Sequence, residues 1–399
     1  MRTPMRPAPE PDAAPVRRPT RAVVLELIRV AGPISRTELA EATALTPATM
    51  TTVVRDLIAD GLVVETGVGE PTGGKRRTLL EARPDSRYAI GIVLGFAAIS
   101  YVVVNVWGEL VAERSAAGAD RLEPAEVVRR IAGEVDSIID EAGIEREIVA
   151  GVGMVVPGPI DVTSGAAVQL PSSLPWSDFS VRDALAEALG LPVVMENDAT
   201  AAAAGEYWSR ATGGQGTFAT IHMGIGIGAG IMIAGELLRG ISGNAGEIGH
   251  VSIDLDGPRC HCGNRGCLEL FAAPPAAEER YFAVSGERRD WIDIAARAGG
   301  GDDPHAVDTV ARSADALAVA VTSLVNLLDL DLVVLTGAGF AGAGPVFAER
   351  IGSVLADTFF ARRSHPVRVV ASADPSRSAA LGGAAIVLRE ALAGPRAQV

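Results

Sequence analysis

All three cysteines of the chain lie in one short segment, at positions Cys260, Cys262 and Cys267. His250 precedes the first of them by ten residues. Three thiolates and one imidazole form a complete tetrahedral shell for a structural Zn²⁺, and the glycines at 263 and 266 allow the tight turns that such a shell requires. Three buried free cysteines are the alternative, but scattered core cysteines would not cluster in this way. The segment therefore predicts a zinc site, with the ligands His250, Cys260, Cys262 and Cys267.

Length and composition limit the class of protein. A chain of 399 residues predicts two or three domains. No apolar run reaches the roughly 18 residues of a membrane span, and the Pro- and Arg-rich segment Met1–Thr20 lacks the apolar stretch of a secretory signal. Because the cysteine spacing leaves none for disulfides, we expect a cytoplasmic protein with no membrane partner.

The charge of the chain is unevenly distributed. The net charge of −14 argues against nucleic-acid binding by the whole surface. Residues 1–87, however, hold 13 basic and 11 acidic side chains, a net of +2, which leaves −16 for the rest of the chain. A locally basic module on an acidic body is compatible with DNA contact.

The N-terminal pattern predicts three short helices and a hairpin after a disordered tail at residues 1–19. Apolar residues recur at helical spacing over residues 21–29. Ser35 and Glu38 form a capping box for a second helix, and Thr46 with Pro47 opens a third helix that runs to residue 60. Residues 62–65 and 78–81 are predicted to be strands on either side of a Gly-rich basic loop.

This order is typical of a winged helix-turn-helix, which we place at residues 20–84. The outward face of the third helix would enter the major groove, and the basic loop would reach the backbone or minor groove. A dimerisation or scaffolding unit is the alternative, but capping, turn spacing and a basic wing together favour DNA binding. The predicted DNA contacts are Arg36, Thr46, Thr49, Thr51, Thr52, Arg55, Lys75, Arg76 and Arg77.

After residue 85 the pattern changes to alternating strands and helices. Two β-hairpins are predicted, at residues 89–106 and 217–233, and each is followed by helices and single strands. The clearest of these later elements are predicted helices at 123–143, 197–211, 315–328 and 378–394 and predicted strands at 148–156, 192–195 and 332–336. Two α/β units that both start with a hairpin predict a duplicated fold with a cleft between lobes. Residues 276–304 show no readable pattern.

Three segments carry a family resemblance: Glu247-x-x-His250 followed by Cys260-x-Cys262-Gly263-x-x-Gly266-Cys267-Leu268-Glu269; Glu196-Asn197-Asp198-Ala199; and Pro157-Gly158-Pro159-Ile160-Asp161. With the winged helix, they resemble the ROK family of repressors and sugar kinases over nearly the whole chain from about residue 20. The resemblance implies an α/β fold with an actin-like (ribonuclease H-like) body of two lobes. The first lobe would comprise residues 88–197 and 384–399, and the second, with the zinc loop, residues 198–383.

The resemblance also implies roles for individual residues. Asn197 and Asp198 would hydrogen-bond sugar hydroxyls, and in kinase members this aspartate is the general base. Glu247, His250 and Glu269 would complete the sugar pocket. Carboxylates and an amide suit a polyhydroxyl ligand because they accept and donate paired hydrogen bonds. For Asp198, capping of the following helix is the alternative.

The phosphate sites separate a kinase from a repressor. Kinase members of the family open the body with Asp-x-Gly-Gly-Thr, where this chain has Val93-Leu94-Gly95-Phe96-Ala97. The second phosphate loop, usually Gly-Thr-Gly, is Gly224-Ile225-Gly226. Phosphoryl transfer depends on positioning and electrostatics, so loss of charge, hydroxyl and space predicts a non-enzymatic regulator without catalytic residues.

We therefore expect a sugar-responsive transcriptional regulator, in particular a repressor, as a homodimer or homotetramer. Its partners would be double-stranded operator DNA and a sugar or sugar derivative. Two alternatives remain: an ATP-dependent sugar kinase with a DNA-binding module, which the intact Asn197-Asp198 supports, and a regulator controlled by a protein partner. One departure concerns the sugar, because family members often carry asparagine just before the segment Leu174-Pro175-Trp176, where this chain has Ser173.

Overall fold

The computed structural model describes residues 20–68, 77–119, 122–161, 164–167, 176, 179–209 and 216–393. The chain divides into two compact units. The first contains the chain up to Arg83 together with the residues from Arg389 onwards, and the second contains Pro84–Leu388. The predicted tail at residues 1–19 lies outside the described residues.

The first unit has three helices and a small antiparallel sheet. Its elements are α1 (Thr20–Ala31), β1 (Ile34–Ser35), α2 (Arg36–Thr43), α3 (Pro47–Ala59), β2 (Val63–Val68) and β3 (Thr78–Ala82). The strands pair in the order β1-β3-β2. Each helix buries one apolar face, and Val24, Leu39 and Met50 are fully enclosed. This arrangement confirms the predicted winged helix-turn-helix and adds the short strand β1, which the sequence pattern did not reveal.

Side-chain hydrogen bonds define where the helices α2 and α3 begin. The Ser35 side chain accepts a hydrogen bond from the Glu38 backbone N–H, and the Glu38 carboxylate accepts one from the Ser35 N–H at 2.8 Å. The Ser35 hydroxyl also donates to the Glu38 carboxylate at 2.6 Å, and the two hydrogen bonds that this carboxylate accepts from Ser35 lower the pKa of Glu38. Thr46 caps α3 with Pro47 at the first position, and Ala44 makes the turn with a left-handed φ of 55°. Both predicted caps are confirmed.

The second unit begins with a five-stranded sheet. Its elements are β4 (Tyr88–Leu94), β5 (Ala98–Asn105), β6 (Leu110–Ala117), α4 (Pro124–Glu141), β7 (Val149–Val156), β8 (Ile160–Asp161), β9 (Ala166–Ala167), α5 (Val181–Leu189) and β10 (Val193–Asn197). The sheet order is β10-β7-β4-β5-β6, and β8 pairs separately with β9. The amphipathic helices α4 and α5 cover this sheet, since Ile131, Val135 and Leu185 share a buried core with its strands.

A second five-stranded sheet follows. Its elements are α6 (Asp198–Trp208), β11 (Phe218–Met223), β12 (Ile227–Ile233), β13 (Glu236–Leu237), α7 (Glu269–Ala272), α8 (Pro274–Ser285), α9 (Trp291–Gly300), α10 (Pro304–Leu328), β14 (Leu332–Thr336), α11 (Gly344–Thr358), β15 (Arg368–Ala371) and α12 (Ser378–Ala393). The sheet order is β13-β12-β11-β14-β15. Leu317 and Val321 of α10 and Phe347 of α11 belong to its core.

The two sheets have the same connectivity. In each, the first three strands form an antiparallel meander. The fourth strand then pairs parallel to the first strand, and the fifth pairs parallel to the fourth. The structure therefore confirms the predicted duplicated α/β body. It also places the carboxyl ends of β4, β7 and β10 at one edge of the first sheet, and those of β11, β14 and β15 at one edge of the second.

The helix after each fifth strand covers the other sheet. A Cβ on Gly230 of β12 would overlap the carbonyl oxygen of Ala199 in α6, so α6 lies directly on the second sheet. A Cβ on Gly91 of β4 would overlap the carbonyl oxygen of Ala380, so α12 lies directly on the first sheet. These close contacts depend on strand positions that carry no side chain.

Glycines also let α6 and α12 cross at very short range. A Cβ on Gly205 of α6 would overlap the Ser378 carbonyl, and a Cβ on Gly382 of α12 would overlap the Ala201 carbonyl. The crossing therefore brings backbone against backbone and links the two halves of the body. Each half is held by a helix that follows the fifth strand of the other.

Several elements were missed or misplaced by the sequence pattern. Helix α10 begins at Pro304, eleven residues before its predicted start, because the Asp303 side chain accepts hydrogen bonds from the backbone N–H groups of His305 and Ala306. The unreadable stretch 276–304 contains most of α8 and all of α9. Strands β6 and β15 and helices α5 and α11 had no counterpart in the prediction. Strand β14 matches its prediction.

Helix α10 is long and apolar enough to cross a membrane by length and composition alone, with a mean hydropathy of 1.3 and 44% of its most apolar window buried inside the protein. Core helices of folded domains pass the same test. Its Leu317, Val321 and Val325 are completely enclosed by the second sheet and its helices. We therefore interpret α10 as a core helix.

Candidate functional site

The predicted metal ligands meet in space. The donor atoms of His250, Cys260, Cys262 and Cys267 all lie within 4.8 Å of one another. The Cys262 and Cys267 sulfurs are 3.6 Å apart, and the Cys260 sulfur is 3.7 Å from Nδ1 of His250. Tetrahedral zinc with Zn–S bonds of about 2.3 Å and Zn–N bonds of about 2.0 Å separates its ligand atoms by roughly 3.5–3.8 Å. This Cys/His cluster can therefore hold a metal ion, and its donors suit zinc.

Backbone hydrogen bonds shape the loop that carries the cluster. Arg259 and Arg265 form an isolated antiparallel bridge, and Cys267 forms another with Ser252. Gly266 has a φ of +62°, and a Cβ there would overlap the carbonyl oxygen of Asp254. Only glycine fits this position without strain. The loop is therefore folded by its own backbone around the ligand atoms.

The thiols differ in their electrostatic environment. Burial raises the pKa of Cys267 to about 12, whereas a backbone hydrogen bond from Asn264 lowers the pKa of the exposed Cys262. A buried thiolate at Cys267 needs a cation beside it, which a metal ion supplies. One further imidazole was missed by sequence reasoning: His261 has its Nδ1 3.7 Å from the Cys260 sulfur and packs edge-on against His250. Its place inside the cysteine segment was the available signal.

The residues predicted to bind the sugar include three carboxylates, and Glu247 lies near the other two. The pKa of Glu247 is raised mainly by burial. His250 lowers it through its charge, while the carboxylates of Asp198 and Glu269 raise it. Each of these three groups is thus close enough to act on Glu247. The structure brings together Asp198, Glu247, His250 and Glu269, residues from three distant parts of the chain.

Asn197 has a structural role at the start of α6. Its side-chain oxygen accepts hydrogen bonds from the N–H groups of Ala199 at 2.9 Å and Thr200 at 3.2 Å, and its amide donates to the Gly158 carbonyl at 3.1 Å. The N-cap of α6 is therefore Asn197 and not Asp198. Contact between Asn197 and a sugar stays a prediction.

Asp198 is the first residue of α6 and has a different environment. Its Oδ1 accepts from the Ala199 N–H at 2.8 Å, and its Oδ2 lies 3.7 Å from Nε2 of His222. The other ring nitrogen of His222 lies 3.3 Å from the Thr336 hydroxyl. Sequence reasoning missed His222, although a single histidine at the carboxyl end of the apolar strand β11 was a usable signal. His222 is therefore a further polar side chain beside the Asp198 carboxylate.

Glu269 connects the Cys/His cluster to the second hairpin. It follows Cys267 by two residues, and its Oε1 accepts a hydrogen bond from the Ile227 N–H at 2.9 Å. Side chains at Gly226 or Gly249 would collide with Glu269. A displacement of residues 260–267 would therefore be expected to shift this carboxylate as well.

The two hairpin turns carry apolar tips. In the first, the carbonyls of Gly95 and Ala97 accept hydrogen bonds from the N–H groups of Ala119 and Gly118, and the Phe96 side chain is 38% exposed. In the second, Ile225 is 65% exposed between Gly224 and Gly226. Neither tip offers a hydroxyl or a charge to a phosphate group.

The predicted DNA-binding face of α3 points outward. Thr46, Thr49, Thr51, Thr52 and Arg55 are all exposed, and Met50, Val54 and Leu57 form the buried face. Val53 and Ile58, the other large apolar side chains of α3, are only half-buried. The Arg55 guanidinium is 71% exposed and lies 3.4 Å from Asp56.

The remaining predicted DNA contacts lie outside α3. Arg36 pairs with Glu65 of β2 at 2.8 Å, which ties the helix-turn-helix to the first wing strand. Arg77 is exposed at the start of β3. Lys75 and Arg76 lie outside the described residues.

Known proteins resemble the chain over both units. The sequence profile of the ROK family matches residues 89–390, and that of the MarR family matches residues 18–65. A xylose repressor from Caldicellulosiruptor bescii is 31% identical over 376 residues, which cover 91% of this chain and 93% of that protein. The similarity thus includes the N-terminal unit as well as the body.

Solved structures are also similar to the chain, either over both units or over the body alone. A ROK family transcriptional regulator, a homologue of the E. coli MLC protein, superposes with a TM-score of 0.79 at 26% identity and covers 94% of this chain and 96% of its own. A ROK family glucokinase from Streptomyces griseus, solved with glucose and AMPPNP, superposes with a TM-score of 0.63 at 26% identity and covers 75% of this chain and 98% of its own. The fold is therefore shared with this regulator over 94% of the chain and with this glucokinase over 75% of it.

Proposed function

The chain belongs to the ROK family, and from this premise we propose that it is a sugar-responsive transcriptional repressor that acts in the cytoplasm. One contrast carries the proposal. The carboxylates predicted to bind the sugar are present and near one another, at Asp198, Glu247 and Glu269. The two hairpin turns that correspond to the phosphate loops of kinase members carry apolar side chains instead. We expect such a body to recognise a sugar without transferring a phosphate to it, because neither of the two described hairpin turns offers a charge or a hydroxyl to the phosphate.

The sugar would bind between two lobes, residues 88–197 with 384–399 and residues 198–383. Asp198, Glu247, His250 and Glu269 would accept or donate hydrogen bonds to its hydroxyls, with Asn197 at the edge of the site. Closure of the lobes would change the DNA affinity of the winged helices. A coupling free energy of roughly 1–3 kcal/mol is typical of such linkage.

Zinc would be held by His250 and the three cysteines. The ion would neutralise the thiolates and fix the loop that leads into Glu269. Its role is structural, since all four positions of the tetrahedron are filled by protein.

The sugar response should depend on carboxylates outside the winged helix. Asp198→Ala and Glu269→Ala should each abolish the effect of the sugar on operator binding, while sugar-free operator affinity stays within about twofold. Asp357→Ala, which removes an exposed carboxylate on α11, should leave both properties unchanged. Fluorescence anisotropy with labelled operator, with and without sugar, measures both. Because coupling is reciprocal, calorimetry that finds the same sugar affinity with and without operator would favour control by a protein partner.

The winged helix should bind a roughly palindromic operator as a homodimer or homotetramer, with half-sites about one or two helical turns apart. Arg55→Ala should lower operator affinity by roughly 5- to 150-fold, as expected for a lost base contact worth about 1–3 kcal/mol. Arg77→Ala should instead weaken binding to all sequences and reduce the salt slope by about 0.9. Arg288→Ala removes a similarly exposed arginine from the body and serves as the control. Equal affinity of wild-type protein for operator and random DNA would contradict the proposal.

The protein should not phosphorylate sugars. Incubation with ATP, Mg²⁺ and a panel of aldoses should give no turnover above background in a coupled assay, since neither hairpin turn can hold the phosphates. Turnover near 1 s⁻¹, at about the lower limit for kinases, would establish the alternative of a sugar kinase with an attached DNA-binding module.

A further inference from the structure

Helix α6 is a buried rod that starts at the proposed sugar site. Asp198 is its first residue and Trp208 its last. At 1.5 Å per residue, its 11 residues span roughly 16 Å. From Ala199 onwards every residue of the helix except Tyr207 is buried. Because the backbone hydrogen bonds keep the length of a helix constant, a displacement of its first turn also displaces its last turn.

The crossing with α12 fixes the point about which α6 can tilt. The two helices meet backbone against backbone at residues 201–205 of α6, since Gly205 and Gly382 carry no side chains that could separate them. Such a contact is close-packed and does not compress. Asp198 lies on one side of the crossing and Trp208 on the other. A tilt of α6 therefore moves its two ends in opposite directions.

The far end of α6 contacts the turn between β5 and β6. A Cβ on Gly108 would lie 2.5 Å from Cδ1 and 2.9 Å from Nε1 of Trp208, so the backbone of this turn lies directly against the indole ring. Gly108 also has a φ of +81°, in the left-handed region that favours glycine. Both the available space and the backbone conformation thus depend on glycine at this position.

Asn105 holds this turn together as one unit. Its side-chain oxygen accepts hydrogen bonds from the N–H groups of Trp107 and Glu109, both at 3.0 Å. Its amide donates to the Glu109 carboxylate at 2.7 Å, and its carbonyl accepts from the Gly108 N–H at 2.9 Å. Asn105 is buried, and hydrogen bonds shielded from water are stronger. Residues 105–109 should therefore move together.

The same turn holds the start of the body. Val106 is completely buried, and its N–H donates to the Pro84 carbonyl at 3.2 Å. Pro84 is the first residue of the second unit. Arg83, the residue before it, donates its own N–H to the Leu62 carbonyl of the first unit at 2.9 Å. Since these two hydrogen-bonded residues are adjacent in the chain, a shift of the turn is transmitted along the backbone to the end of β3.

We infer that the turn at residues 105–109 couples the sugar site to the winged helix, with α6 as the connecting element. This inference rests on the proposed function, because it concerns how binding at that site changes DNA affinity. Ligand binding tilts α6 and moves Trp208 against Gly108. The turn then displaces Pro84 and the strand that leads to it. Because coupling between two sites is reciprocal, DNA binding must also alter α6.

Hydrogen–deuterium exchange without any sugar tests this route. The full-length, metal-loaded protein would be measured with and without an operator duplex that the wild-type protein has selected from random DNA. Operator binding should change exchange in α6 and in residues 105–109 of the wild type by about threefold or more, as expected for a shift in local opening. In Gly108→Ala the change at residues 105–109 should persist and the change in α6 should be lost, because the new methyl group separates the turn from Trp208.

Two results of this experiment would overturn the inference. One is unchanged exchange in both segments of the wild-type protein when operator binds. The other is the same change in α6 in Gly108→Ala as in the wild type, which would assign that change to another route.

The sugar response provides a second measurement. D-xylose, D-glucose and N-acetyl-D-glucosamine would be tested for a change in the operator affinity of the wild type. A ratio of roughly 5- to 150-fold between the affinities without and with the active sugar is typical of such coupling, and in Gly108→Ala it should fall to within about twofold. Calorimetry should show that this variant still binds the sugar. An undiminished ratio would overturn the inference. If no sugar alters the wild type, the proposed function fails, and the exchange experiment still decides the inference.

Two further variants control for backbone strain and for misfolding. Gly143, just after α4, has a φ of +65°, and no described atom lies within 4 Å of a Cβ there. Gly143→Ala therefore adds similar strain without a new contact and should keep both responses. Trp208→Phe removes the contact without changing the turn and should lose the same responses as Gly108→Ala. Coupling lost in Gly143→Ala, or kept in Trp208→Phe, would overturn the inference.

Discussion

Protein purified without chelators should contain one zinc ion per chain, and Cys262→Ser should lose it. Apparent free energies of structural zinc binding are on the order of 10–16 kcal/mol in small zinc domains, and all four ligands contribute to them. Loss of one thiolate removes a large part of this free energy, so we expect the ion to dissociate at ordinary zinc concentrations. Cys262 is the exposed cysteine of the cluster, so serine there removes a ligand without opening a core cavity. Elemental analysis measures the zinc content, and thermal unfolding measures the accompanying loss of stability.

The consequence should extend to the sugar site. Glu269 lies two residues after the ligand Cys267, and its carboxylate accepts a hydrogen bond from the Ile227 N–H. Loss of the zinc ion would free the segment before Glu269 and should weaken sugar binding. Operator binding without sugar should persist. His261→Ala is the matched control, because His261 lies beside the Cys260 sulfur but is not one of the four proposed ligands. It should retain one zinc per chain. Zinc retained in Cys262→Ser, or lost in His261→Ala, would show that the ligand set is wrong.

Gly382→Ala should be among the most destabilising single-methyl changes in the body. The new Cβ would overlap the carbonyl oxygen of Ala201, and backbone atoms cannot move aside as a side chain can. Separation of α6 from α12 would disturb the contacts of both helices with the sheets. We expect a loss of roughly 3 kcal/mol or more, at the upper end of overpacking effects, despite the better helix propensity of alanine.

Gly133→Ala is the matched control for this change. Gly133 lies in the middle of α4, and no atom stands near the position of its Cβ. Alanine there should stabilise the protein by roughly 0.5–1 kcal/mol. Urea unfolding of both variants compares them directly. Equal stability of Gly382→Ala and the wild type would mean that the two helices do not cross in contact.

Helix starts were the most predictable part of the fold where short polar side chains control them. Ser35, Glu38 and Thr46 lie within three residues of the N–H groups that they bind, so sequence spacing alone was sufficient. Asp303 and Pro304 carried the same signal for α10, but the Ala-rich stretch after them lacked a clear apolar period and the start was placed too late. Helix α8 was not recognised because its apolar residues follow no clear period, whereas α9 does bury one face, with Trp291, Ile294 and Ala295, and was missed all the same.

Asn197 shows what the structure adds to the resemblance. Its side-chain oxygen and amide bind the backbone of α6 and of Gly158, a structural role that the resemblance did not include, and its contact with a sugar stays a prediction. Only the tertiary structure distinguishes the roles of Asn197 and Asp198, because the two side chains point in different directions from the end of β10 and so meet different partners. His222 lies beside Asp198 although it is 24 residues further along the chain, on β11.

The sequence by itself determined the features that depend on neighbours along the chain: the helix caps, the four donors of the Cys/His cluster and the apolar residues that replace phosphate-binding ones in the hairpin turns. The tertiary structure decided the features that depend on distant segments. Asp198 comes near Glu247 and Glu269 because α6 lies on the second sheet, and α6 can lie there because Gly230 carries no side chain. No local pattern encodes such contacts, since each requires two backbones to approach within van der Waals distance after the rest of the chain has folded.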